Sequence, residues 1–149
     1  MLPITAREIP LRAATGAYIL NTGLEKRHAD EETAARLHGF ASGTYPFFKD
    51  LEPATFVRLL SAAEIGLGAT LLIPLVPTAV AGAALTAFSA GLVTMYLRTP
   101  GLRKKGSLAP TSQGMTISKD VWMLGIGLGL LTDAATRGGS ATGKTKKKK

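Results

Sequence analysis

The chain has 149 residues, a mean hydropathy of +0.19 and no cysteine, which excludes a disulfide scaffold, a thiol redox centre and a thiolate metal site. Its two histidines, His28 and His38, fall in one polar connection, so a buried haem or zinc cluster is poorly supplied. The net charge of +8 resembles a nucleic-acid signature until it is located: much of it is Lys144 and Lys146 to Lys149, in a low-complexity tail after Gly138, where a nucleic-acid domain would carry its cations on a folded face. Nucleic acid is therefore set aside as a partner, and the tail is read as solvated or drawn to anionic lipid.

The apolar residues lie in blocks, the pattern of a membrane protein rather than of a soluble core. The first block, about residues 9–25, is flanked by Arg12 and by Glu25-Lys-Arg27; it is short for a bilayer, and Arg12 and Lys26 are expected to snorkel toward the interfaces. A secretory signal peptide is the competing reading, but Leu24-Glu-Lys-Arg27 is a poor cleavage region and further spans follow. A polar connection comes next, in which Asp30-Glu-Glu32 opens a short helix to His38 and Gly39 is expected to end it, followed by the aromatic run Tyr45-Pro-Phe-Phe48.

The second and third blocks, about 55–74 and 78–97, form a hairpin around Pro74 and Pro77, and each has the roughly 20 residues needed to cross a hydrocarbon core. A basic loop from Arg98 to Lys105 leads to the fourth block, about 117–135, and a flexible lysine-rich tail occupies 138–149. Each long apolar run satisfies its backbone in lipid only as a helix, because the period-two alternation of a barrel is absent. The predicted fold is thus all-α, a polytopic bundle of four transmembrane helices in the cell membrane.

Helical spacing gives each span a stripe of small or polar residues: Tyr18, Asn21, Thr22 and Glu25 on the first, and Ser61, Glu64 and Gly68 on the second. Gly82, Thr86 and Ser89 follow on the third, and Trp122, Gly125, Gly129 and Thr132 on the fourth. These stripes are expected to face the bundle interior, with Gly68, Gly82, Gly125 and Gly129 allowing close helix approach. The alternating glycines of Gly125-Ile-Gly-Leu-Gly129 lack the spacing and the strand of a dinucleotide fingerprint.

The order of Gly23-Leu-Glu-Lys26, Ala63-Glu-Ile-Gly-Leu-Gly68, the hairpin into an Ala/Gly-rich helix, and Lys119-Asp120 resembles the DoxX/DoxD-like family of small four-helix membrane proteins. The family's Gly-x-x-Thr-Arg turn is replaced by Pro74-Leu-Val-Pro-Thr78, so no role for that arginine transfers. The resemblance implies association with membrane redox systems, as a quinone-linked or accessory subunit among protein partners and lipids rather than a self-contained enzyme.

Glu64 is the one carboxylate inside the second span, and such a group faces a bundle interior with a partner or a task. One reading makes it a proton acceptor or the anchor of a quinone-like head group, with Asn21 and Tyr18 beside it and Lys26, Lys119 and Asp120 gathered at the mouth. The other makes it a paired group that only fixes helix register. A proton-coupled small-solute carrier using Glu64 is the rival function, against which stand the small size and the lack of an internal repeat. No metal site is expected, and both termini are expected in the cytoplasm, on the strength of the lysine tail and the acidic first connection.

Overall fold

The computed structural model describes the backbone of residues 4–145 and the side chains of residues 4–137, and among these the regular structure is helical, apart from an isolated antiparallel bridge between Arg103 and Pro110. The helices are α1 (Glu8–Lys26), α2 (Glu31–Thr44), a 3-10 turn (Pro46–Phe48), α3 (Pro53–Leu72), α4 (Thr78–Arg98), α5 (Met115–Ser118) and α6 (Val121–Thr145). At 1.5 Å per residue the four long helices measure about 28 to 38 Å, on the scale of a bilayer's hydrocarbon core. Two of them, α3 and α4, are long and apolar enough to cross a membrane.

Local chemistry sets most of the boundaries. Pro53 occupies the first turn of α3, where its missing N–H costs nothing, and Ile73 is extended ahead of Pro74, where a helical conformation is disfavoured. Asp30 caps α2, accepting a 2.8 Å hydrogen bond from the Thr33 backbone N–H. Gly39 does not end α2 as the sequence suggests: the helix runs on to Thr44, because Ala34, Ala41 and Thr44 bury one face on α3 and α4 and outweigh a glycine that lies exposed. The fourth block is broken at its predicted start: the short α5 spans Met115–Ser118, and the long helix α6 begins only at Val121, after Lys119-Asp120. Helix α6 continues to Thr145, past the point where a flexible tail is expected; Lys146 to Lys149 lie outside the described residues.

The four long helices associate as two antiparallel pairs. α1 packs chiefly on α3, and α4 on α6, whereas α3 touches α4 and α1 touches α6 only sparsely. Glycine explains the pairing. A Cβ at Gly68 would come within 2.7 Å of the Leu20 nitrogen, and one at Gly127 within 2.8 Å of the Thr86 nitrogen, so at both places backbone meets backbone. Gly16 and Gly23 extend the first contact, and Gly82 lies against Leu130 and Leu131 in the second.

Between the pairs the seam is filled by larger side chains. Ile19, Leu67, Leu71, Ala81, Leu85, Met123 and Leu130 are buried there, with Phe88, Leu92 and Ile126 against them. A second cluster of Ala34, Ala41, Phe56 and Val57 fixes α2 to the start of α3.

The inward faces differ in part from the predicted stripes. On α1 the buried residues are Glu8, Arg12, Thr15, Gly16, Ile19 and Gly23, while Asn21 is exposed and Tyr18 is 45% exposed. On α6, Trp122, Gly125, Gly129 and Thr132 are exposed, and a Cβ at Gly125 or Gly129 would meet nothing within 4 Å; Gly127, between them, makes the contact. The rule that small and polar residues turn inward fails where aromatic and amide groups have their own partners: Tyr18 packs edge-on against Trp122 at 6.3 Å, and Asn21 donates to Glu25 Oε1 at 2.9 Å.

Candidate functional site

Between the two pairs, at the end bearing α2 and the 99–114 loop, lies a partly open cavity of about 470 Å³. Its walls are mostly apolar: Ile19 from α1, Leu60 and Phe56 from α3, Phe88, Leu92 and Met95 from α4, and Met123 from α6, with Leu37, Phe40 and Phe48 closing the side under α2. The aromatic lid is braced internally. Phe48 packs against Phe56 with ring centroids 5.1 Å apart, His38 Nε2 donates to the Phe48 carbonyl at 2.8 Å, and Tyr45 Oη donates to the Gly91 carbonyl at 2.9 Å. His38 is therefore a brace and His28 an exposed residue; no group of metal-ligating side chains occurs among the described residues.

The polar part of the wall is concentrated at one end. Lys26 Nζ lies 2.9 Å from Glu64 Oε2, and Thr22 Oγ1 lies 3.2 Å from the same oxygen, its one proton shared between that carboxylate and the Ile19 carbonyl at 2.9 Å. Glu64 is 6% exposed, so the ammonium and the hydroxyl replace the water that this carboxylate has lost. The geometry depends on Gly23, opposite Glu64: a Cβ there would stand 2.9 Å from that of Glu64, and Ser61 Oγ donates to the Gly23 carbonyl at 2.7 Å, locking the register. Lys119 and Asp120 enter the same cavity from the break before α6, Asp120 half-buried and Lys119 exposed.

Of the six residues singled out in the sequence, Tyr18, Lys26, Glu64, Lys119 and Asp120 line this cavity and Asn21 does not. Asn21 lies on the exposed side of α1. Thr22, one position along, supplies the hydroxyl instead.

A second polar cluster, at the opposite end, has no counterpart in the sequence reading. Arg12, expected to snorkel, is 2% exposed and donates to four carbonyls at the end of α3 and in the following turn: Leu71 at 2.9 Å and Thr70, Ile73 and Val76 at 3.0 Å each. The last turn of a helix leaves carbonyls without partners and carries a partial negative charge; a planar guanidinium satisfies both needs. Nearby, Glu8 accepts from Thr78 Oγ1 at 2.6 Å and pairs with Arg137, which also reaches Asp133 at 3.1 Å. Arg7 closes on Asp133 at 2.7 Å. The signal was the pair of i, i+4 spacings, Glu8 with Arg12 and Asp133 with Arg137, at the same end of two antiparallel helices.

The arrangement is that of a container with one polar end. It can hold an elongated apolar molecule and offer its head group a cation, a carboxylate and a hydroxyl within a few ångströms of one another. Comparison with protein-family models, with curated proteins and with solved structures finds no match for this chain.

Proposed function

We propose that the chain is a four-span membrane protein, resembling the DoxX-like subunits, that holds a lipophilic ligand with a polar head, a quinone or a lipid, as the accessory subunit of a membrane redox complex. The observation that carries this reading is the cavity: about 470 Å³ of mainly apolar wall ending at the Lys26–Glu64 pair. A lipophilic tail fits the wall, and a quinone oxygen fits the ammonium. In this reading the residues of the site bind and orient the ligand.

Membrane embedding by all four long helices is supported by what they leave outside. Ile9, Leu11 and Leu24 of α1, Leu59 and Leu72 of α3, Val80 and Leu97 of α4, and Val121, Trp122 and Leu128 of α6 are each more than a third exposed, an apolar belt that water would not tolerate on a monomer of this size. The half-buried ion pairs at both ends reduce the charge on the α1 and α6 surfaces. In this reading both termini lie on the cytoplasmic side, as the lysines near the end of the sequence and the acidic first connection favour.

The carrier reading is weaker. Between the Glu64 end and the Glu8 end lies the buried layer of Ile19, Leu67, Leu71, Leu85 and Leu130, which gives a proton or a polar solute no chain of titratable groups to follow.

Trp122 is the sole tryptophan and packs on Tyr18, a cavity residue, so a bound quinone should quench its fluorescence. Titration of the detergent-purified protein with short-chain quinones is expected to quench saturably, and Ala87→Phe, which fills the wall, is expected to abolish saturation. A monodisperse wild-type protein showing only linear, collisional quenching would refute the ligand reading.

A further inference from the structure

The segment between α4 and α5 is a built loop. Gly101 and Gly106 adopt φ of 87° and 72°, conformations open to glycine, and between them the chain doubles back so that Lys104 N–H donates to the Ala109 carbonyl at 2.8 Å. Thr111 ties the base by donating from its backbone N–H to Leu102 at 2.9 Å and from Oγ1 to Gly101 at 2.6 Å, over a Leu102 side chain that is 1% exposed. The fold of this loop holds open a crevice of about 360 Å³ lined by Thr99, Arg103, Lys104, Lys105 and Ser107.

No carboxylate lines the crevice. No aspartate or glutamate occurs between Glu64 and Asp120, and the loop within that stretch and the end of α4 before it carry Arg98, Arg103, Lys104 and Lys105. None of these four takes part in the ion pairs found among the described residues, which use Arg7, Lys26 and Arg137. Arg103 is partly engaged, donating to the Leu97 carbonyl at 2.7 Å and closing the end of α4; Lys104 and Lys105 are exposed and free to meet an anion. Ser107 Oγ accepts from the Ala109 N–H at 3.0 Å, which leaves its own proton to donate.

Beside the cations stands Leu108, 72% exposed, its carbonyl held by Tyr96 Oη at 2.6 Å. A cationic crevice with an exposed leucine fixed at its rim matches a molecule with a phosphate at one end and acyl chains at the other. We propose that this crevice binds the phosphate of an anionic phospholipid, with Lys104 and Lys105 as its main cations, so that the loop anchors the α4–α6 pair to the leaflet on its side. The proposal rests on the membrane embedding argued above but not on the cavity ligand.

The full chain in neutral detergent would be titrated with short-chain phosphatidylglycerol and phosphatidylcholine, with bound lipid read by native mass spectrometry. Wild type is expected to prefer phosphatidylglycerol. Lys104→Ser/Lys105→Ser is expected to lower that affinity about 30-fold, two cations at about 1 kcal/mol each, and to leave phosphatidylcholine binding unchanged. Three results would overturn the proposal: equal affinity of wild type for the two lipids, loss of the preference on neutralising Lys146 to Lys149 while the loop pair is without effect, or displacement of phosphatidylglycerol by millimolar inorganic phosphate, which would mark a solute site. Failure of the embedding itself would be seen separately, as a chain monodisperse in buffer without detergent.

Discussion

Replacing Arg12 by methionine keeps the apolar stem of the side chain and removes the guanidinium. Four carbonyls then lose their donor: Leu71, fully buried with its bond of 2.9 Å, and Thr70, Ile73 and Val76, partly buried at 3.0 Å. A hydrogen bond to a charged group contributes about 1.5 to 3 kcal/mol net; counting the Leu71 bond at about 2 and the other three at about 0.5 to 1 each, because water can reach them, gives a loss of about 4 kcal/mol. For a chain of this size that corresponds to a fall in midpoint of about 8 to 16 °C. Thermal scanning by fluorescence-detected size exclusion in detergent reads the change directly. Arg12→Lys should fall between, since an ammonium offers three donors from one point and cannot span the four acceptors. If Arg12→Met melts within 2 °C of wild type as a monodisperse species, the guanidinium is not what closes the end of α3.

At Glu64 the charge and the shape can be separated: Glu64→Gln still accepts from Lys26 and Thr22 and should cost about 1 kcal/mol, whereas Glu64→Leu strands the Lys26 ammonium and should cost about 2 to 3, less than a fully buried pair because Lys26 reaches solvent. Should Gln leave quinone quenching and partner binding intact while Leu melts the bundle, the carboxylate is a register device alone, and the proton or head-group role falls. Glycine scanning of α6 should split by position: Gly127→Ala pushes on the Thr86 backbone and destabilises by about 1 to 3 kcal/mol, while Gly125→Ala and Gly129→Ala, facing open space, gain about 0.5 to 1 kcal/mol of helix propensity. A uniform response across the three in chemical or thermal melts would contradict the pairing of α4 with α6. In the α2 cap, hydrogen bonds from the side chain and backbone N–H of Thr33 hold the Asp30 carboxyl below its ordinary value. A carboxyl with its folded value lowered contributes stability that is present above the unfolded value near 3.9 and is lost as pH falls through the folded one. Amides 31–34 should thus exchange faster in acid in wild type but not in Asp30→Asn, which caps without titrating.

The helices themselves were legible because their determinants are local. Pro53, Pro74 and Pro77 bracket α3 and α4 to within two residues of the predicted bounds, and Asp30 announces α2. Where tertiary packing outvotes a local signal the sequence misleads, as at Gly39, which α2 passes through. The facing of each helix was legible only in part. Ser61, Glu64 and Gly68 share the buried side of α3, but on α1 a stripe chosen for polarity selects Asn21 over Arg12, since nothing in one sequence says that the carbonyls needing a donor are those of Thr70 to Val76. The cavity residues Phe88, Leu92 and Phe48 were invisible as such: an apolar side chain facing a void reads the same as one facing lipid.

The division of labour between glycines within pairs and bulky residues between them has a consequence for how this chain can vary. Substitutions at Gly16, Gly23, Gly68, Gly82 or Gly127 press on backbone or on the first atoms of neighbouring side chains, so these positions admit almost nothing larger. The seam obeys the looser rule of conserved volume, under which Leu, Met, Ile and Phe exchange at modest cost. Mutational drift at Leu60, Phe88 or Leu92 can therefore reshape what the cavity accepts while both helix pairs stay intact, and a library restricted to those three positions would sample new ligand preferences on an unchanged scaffold.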